Sequence, residues 1–163
     1  MTAATVDERA ATAAAHPAPA PLLQARERAA AEGLPYAGGV TPHEAWALFS
    51  AGEAVLVDVR TAEERKFVGQ VPGTVHVAWA TGTAMTRNPR FVKELEARVG
   101  KDAVVLFLCR SGKRSALAAE AAAKAGFGSA FNVLEGFEGE LNAAQQRRNS
   151  GGWVVSGLPW EQD

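Results

Sequence analysis

The sequence predicts an α/β fold: a mainly parallel central sheet flanked by helices on both faces. Three observations carry that prediction. Two continuous apolar runs, Ala54 to Val59 and Ala103 to Leu108, read as strands buried on both sides, the pattern of parallel sheets. Segments with helix start and stop signals alternate with strand-like runs along the chain. The second apolar run also passes directly into a polar, glycine-containing loop and then an alanine-dense stretch, a strand, loop and helix in succession.

The elements follow in order. The stretch Ala10 to Pro21 is mostly Ala, Pro and Thr, too poor in large apolar groups to offset the entropy of ordering, so residues 1–20 are expected to form a flexible tail. Residues 21–37 are expected to be a helix and connector. Pro21 to Glu32 is rich in good helix formers, and Gly33 and Pro35 end it. The domain itself is expected over 38–163. Thr41, Pro42 and Glu44 form a capping box with proline at the first helical position, and Gly52 suits the stop. The strand ending at Val59 is followed by a second capping box, Thr61 with Glu64, and a short helix. Gln70-Val71-Pro72-Gly73 reads as a turn and Val75-His76-Val77 as a short strand. Residues 80–88 read as a long loop, the kind that often carries function. Asn88-Pro89 starts another helix that Gly100 ends. After the Ser115–Ala125 helix, Phe131 to Leu134 is a last strand, then a polar helix around Leu141 to Arg147. The aromatic end, Trp153 to Trp160, is expected to pack back on the core.

Composition narrows the function. With 163 residues, 47% hydrophobic and 21% charged, the chain is an ordinary globular protein of one-domain size. A formal net charge of −1 argues against a nucleic-acid partner. No apolar run approaches the ~18 residues that span a bilayer. The first residues lack the apolar core of a secretory signal, so a cytoplasmic protein is expected. A single cysteine allows no internal disulfide. His16, His43, His76 and Cys109 show no metal-ligand spacing, so neither metal nor cofactor is expected.

The chemistry concentrates at Cys109-Arg110-Ser111-Gly112-Lys113-Arg114-Ser115. A lone cysteine inside an apolar strand is usually a small buried hydrophobe. Cys109 instead ends its strand and opens a charged loop that is hard to bury without purpose. Ligands of open α/β sheets bind beyond the carboxyl ends of the strands. There the N–H groups of a helix start favour an anion such as a thiolate. Arg110, Lys113 and Arg114 add positive charge, and Gly112 permits the tight turn. Asp58, at the end of a buried strand, is expected to be a structural hydrogen-bond acceptor. Arg60 is expected to pair with Glu63 or Glu64. Both are supporting residues at most, and His76 is expected to pack rather than react.

At this loop the chain resembles the rhodanese family of sulfurtransferases. Leu56-Val57-Asp58-Val59-Arg60 with Glu63-Glu64 is similar to that family's strand-and-acid motif. Val71-Pro72-Gly73-Thr74-Val75-His76-Val77 resembles its next turn and strand. Phe131 to Phe137 and Gly157-Leu158-Pro159-Trp160 resemble its later strand and its close. The resemblance covers roughly residues 38–162, in order. It implies a single-domain enzyme in which Cys109 attacks a sulfane sulfur, becomes a persulfide and gives the outer sulfur to cyanide or a thiol. It also implies that backbone N–H groups of 110–115 and the Arg114 side chain stabilise the charged sulfur, while Arg110 and Lys113 attract an anionic donor such as thiosulfate. A protein sulfur acceptor fits the same implication. Two departures stand out: Gln70 where the family often has histidine, and the length of Thr81 to Asn88. Two rivals remain. Phosphatases of the same fold place five residues between cysteine and arginine, whereas four separate Cys109 from Arg114. Some domains of this kind bind or regulate partners without turnover, though these often lose the cysteine.

Overall fold

The structure, a computed structural model, describes residues 18–163. The expected tail therefore lies outside the described residues up to position 17. Ala20, expected in the tail, already belongs to a helix that runs to Glu32.

Five strands form one parallel sheet. In chain order they are β1 (Gly38–Val40), β2 (Val55–Asp58), β3 (Val75–His76), β6 (Val105–Leu108) and β7 (Ala130–Val133). Their spatial order is β1-β7-β6-β2-β3, with every pairing parallel. β4 (Ala80–Thr81) and β5 (Thr86–Arg87) form a separate antiparallel hairpin. The helices are α1 (Ala20–Glu32), α2 (Pro42–Ser50), α3 (Ala62–Phe67), α4 (Phe91–Arg98) and α5 (Lys113–Lys124). Each sheet face carries its own apolar cluster. Val57, Phe91, Leu95, Phe107, Ala118 and Ala122 build one, and Leu48, Leu56, Leu106, Phe131, Phe137 and Trp153 the other. The α/β fold with a parallel sheet covered on both faces is the one that the two apolar runs predict.

Local signals set the helix starts. Both capping boxes form: Thr41 and Thr61 accept from the backbone N–H of Glu44 and Glu64, whose carboxylates reach back in return. α1 ends at Gly33, in the left-handed conformation at φ 68°. α1 buries Leu22, Ala25 and Ala29 against the sheet edge. The approach is so close that a Cβ on Gly38 would stand 2.5 Å from the Ala25 carbonyl oxygen.

One strand goes beyond what the sequence assigned, and three local expectations are corrected. Gly38 to Val40 is a strand, β1, because it pairs with β7, a partner almost a hundred residues away that outweighs the low strand propensity of two glycines. Residues 80–88 are not a plain loop but the β4–β5 hairpin, turned through Gly82 and Met85 at positive φ. No helix forms over 141–147. Asn142 Oδ1 instead accepts from the N–H groups of Ala144 and Gln146, both at 2.9 Å, and Gln145 turns left-handed at φ 61°. A side chain that captures nearby backbone donors competes with the helix. Arg60 pairs with neither Glu63 nor Glu64, as described below. The C-terminal aromatics do return to the core. Trp153 is fully buried, stacks edge-on against Trp46 and donates its indole N–H to the Pro159 carbonyl. Gln70 and Glu161 exchange backbone hydrogen bonds, so the Gln70 segment anchors the chain's close.

Candidate active site

Asp58 and Cys109 stand at the carboxyl ends of adjacent parallel strands, with Asp58 in register with Leu108. The two ends are finished differently. At β2, Asp58 accepts from the Arg60 backbone N–H, from Arg60 Nε at 3.1 Å and NH2 at 2.8 Å, and from Arg65 at 2.9 Å. Asp58 and Arg60 are both wholly buried, and the Arg60 guanidinium lies 4.3 Å from the Phe137 ring centroid. Arg60 thus answers the nearest buried acid, two residues back. Glu64 is already committed to Thr61 and, across the fold, to Arg114. Asp58 is the structural acceptor expected. His76 packs as expected, its Nε2 2.7 Å from the Arg60 carbonyl oxygen.

At β6 the chain opens into the cysteine loop. Cys109 is 1% exposed, and its Sγ accepts from the Gly112 N–H at 3.1 Å. Gly112 is the N-cap of α5, at φ 101°, a conformation that L side chains rarely adopt, and no side chain caps the helix. At that helix start the Gly112 N–H is spent on the sulfur rather than on a side-chain cap. Ser115 Oγ lies 3.2 Å from Sγ and donates to Asn132 Oδ1 at 2.5 Å, while Asn132 Nδ2 donates to the Gly112 carbonyl at 3.2 Å. The turn after β7 closes the other side, where the Phe137 and Glu138 N–H groups donate to the Cys109 and Arg110 carbonyls. Gly136 makes that approach possible, since a Cβ there would meet Arg110 and Ser111 backbone atoms at 2.5–2.6 Å.

The loop's charges are arranged differently from the sequence expectation of three cations acting on the sulfur. Arg114 makes a two-pronged pair with Glu64, both bonds 2.8 Å, and touches Met85 of the hairpin. Burial works to raise the Glu64 carboxyl, but the Arg114 hydrogen bonds and the Thr61 N–H outweigh it and hold its pKa at about 2. Arg114 is raised in turn: burial opposes its charge, and Glu64 more than compensates. Arg110 pairs with Glu138 at 3.3 Å. Lys113 is exposed, and neither it nor Ser111 has a side-chain hydrogen-bond or ion-pair partner among the described residues. The structure therefore gathers Cys109, Gly112, Arg114 and Ser115 at one point, with Arg110, Ser111 and Lys113 on its rim. Asp58 and Arg60 belong to the neighbouring strand end.

Sequence reasoning missed three contributors. Glu64 was visible as a cap, as a candidate partner of Arg60 and in the strand-and-acid motif but not as the partner of Arg114, and Met85 was visible only as part of a loop. Asn132 carried a readable signal: it is the one polar residue in the buried run Ala130–Val133, and buried polar side chains need partners. Among the described residues no cluster of His, Cys, Asp or Glu could hold a metal, and no helix is long and apolar enough to cross a membrane.

The fold that carries this loop has counterparts in known proteins. The Rhodanese-like domain family model matches residues 41–143. The chain belongs to the rhodanese-like family. It is 34% identical over 110 residues to the uncharacterized protein RP600 of Rickettsia prowazekii, covering 66% of this chain and 83% of that one. The mouse thiosulfate sulfurtransferase/rhodanese-like domain-containing protein 3 is 32% identical over 103 residues, 61% of this chain and 66% of its own length. Among solved structures, Rv0390 from M. tuberculosis shares 47% identity, with a TM-score of 0.72 over 78% of this chain and 99% of that one. This rhodanese-like chain therefore has relatives named as sulfurtransferases alongside uncharacterized ones.

Proposed function

We propose that this rhodanese-like protein is a sulfurtransferase that moves sulfane sulfur from an anionic donor such as thiosulfate to cyanide or a thiol, through a persulfide on Cys109. The observation that carries the reading is the Cys109 sulfur at a strand end, accepting from the Gly112 N–H at 3.1 Å with the Ser115 Oγ 3.2 Å away, beneath an uncapped helix start. The thiolate attacks the outer sulfur of thiosulfate. A new S–S bond forms as the donor's S–S bond breaks, and sulfite leaves with the electron pair. The charged outer sulfur then occupies the mouth of the loop, where helix N–H groups and the dipole favour it. Cyanide or a thiolate takes that sulfur and returns the Cys109 thiolate. Lys113, unpaired on the rim, draws the anionic donor, and Arg114, fixed by Glu64, shapes the wall. A protein persulfide is a further donor and a protein thiol a further acceptor in the same chemistry, and no cofactor is needed. A cytoplasmic setting, where thiols stay reduced, suits a single reactive cysteine.

The test is intact mass after thiosulfate treatment. A gain of one sulfur, reversed by cyanide with release of thiocyanate and absent in Cys109→Ser, supports the reading. No gain with thiosulfate, with a glutathione persulfide or with mercaptopyruvate sinks it in favour of a binding module. Arylphosphate turnover is expected to be absent, because four residues rather than five separate Cys109 from Arg114.

A further inference from the structure

Asn132 sits on β7 with its amide fixed. Nδ2 donates to the Gly112 carbonyl, which turns Oδ1 toward Ser115, and the Ser115 hydroxyl donates to it at 2.5 Å. The same hydroxyl oxygen lies 3.2 Å from Cys109 Sγ, and Ser115 and Asn132 are 0% and 4% exposed. A serine hydroxyl has one proton to give. While Cys109 is a thiol, its S–H donates to Ser115 and Ser115 donates to Asn132, so every group is satisfied. When Cys109 ionises, two acceptors compete for one proton. Either the sulfur is left with the Gly112 N–H alone, or Ser115 turns to the sulfur and Asn132 Oδ1 is buried without a donor, which is costly.

We propose that Asn132 is a positioning residue that, by holding the Ser115 hydroxyl, disfavours the bare Cys109 thiolate relative to both its thiol and its persulfide. In the persulfide the charge moves to the outer sulfur, and the inner sulfur no longer competes for the Ser115 proton. The relay thus pushes the thiolate toward taking up sulfur. The inference rests on Cys109 being the reacting group of the proposed transfer. The other charged or titratable groups around the sulfur are Arg114 on Glu64, Arg110 on Glu138, Asp58 between Arg60 and Arg65, Glu135 on the Gly152 N–H, exposed Lys113, and Tyr36, whose phenol burial pushes up while Asn132 pulls it down. Of these, only Tyr36 is touched by the variants below, through its loss of Asn132, and the Ser115→Ala background separates that loss from the relay.

The experiment is the pH profile of Cys109 alkylation by iodoacetamide in the full chain. Asn132→Ala and the nearly isosteric Asn132→Leu are expected to shift the profile to lower pH and to raise the neutral-pH rate roughly 5-fold, because the freed hydroxyl turns to the sulfur. In a Ser115→Ala background the same substitutions are expected to change nothing, since the coupling runs through that hydroxyl. A profile that stays or moves up, or a shift that persists without Ser115, overturns the proposal. So does loss of folding in both Asn132 variants, which makes the residue a structural support. Alkylation reads protonation whether or not sulfur moves. A chain that shows the shift yet takes up no sulfur therefore overturns the transfer reading and not the relay.

Discussion

β2 and β6 run side by side, and each hands the chain to a helix through a short turn, yet the two turns are finished in opposite ways. At the end of β2, Thr61 and Glu64 cap α3, and Asp58 is saturated by Arg60 and Arg65. At the end of β6, Gly112 offers no side chain to α5, and the nearest acceptor for its N–H is the Cys109 sulfur. A helix start whose donors are filled by its own cap is a structural joint. One left open beside a sulfur is a place where a negative charge can be held. The difference teaches that site and scaffold here share one motif, and that the cap decides which is which.

If that contrast is right, variants at the open turn cost chemistry and variants at the closed turn cost stability. The largest effect is expected for Cys109→Ser: thiocyanate formation falls on the order of 10³-fold or more, with little change in a urea melt. Asp58→Ala is expected to do the reverse. It leaves the wholly buried Arg60 without its carboxylate and costs about 3–5 kcal/mol in urea unfolding. Glu64 joins the two turns, and pH tests it. Its folded pKa of about 2 lies below the ordinary 4.5, so its stabilisation is complete above that ordinary value and is lost as pH falls through the folded one. The loss amounts to about 3 kcal/mol by pH 2, and Glu64→Gln should flatten that limb of the stability profile. Thr61→Ala is expected to cost about 1 kcal/mol while sparing transfer, as a lost cap does. Smallest is Lys113→Ala: KM for thiosulfate rises roughly 3-fold at low salt with kcat unchanged, and the difference shrinks as salt screens it. A loss of kcat there would blur the line between rim and cradle.

Much of the fold was legible because its signals are local. The two apolar runs, the two capping boxes and Gly112 each act within a few residues, and each appears where the sequence places it. Most of what the sequence did not show depends on partners that its local signals do not name. β1 exists only because β7 pairs with it, and the β4–β5 hairpin folds where the sequence shows only a long polar stretch. Arg60 chose Asp58 because both are buried together, a fact that spacing along the chain does not carry. The stretch 141–147 failed as a helix because one side chain, Asn142, outcompeted it.

By itself the sequence determined the α/β alternation and put Cys109 at a strand end followed by glycine, three cations and a helix start, since these depend on periodicity and neighbouring residues. Only the tertiary structure decided what those groups do to one another. It joined Arg114 to Glu64 across 50 residues, paired Arg110 with Glu138, and set Asn132 of β7 behind Ser115. The reason is physical. Backbone propensity and capping act over one or two turns of chain, whereas charge pairing and buried hydrogen bonds depend on distances in space, which the sheet order sets.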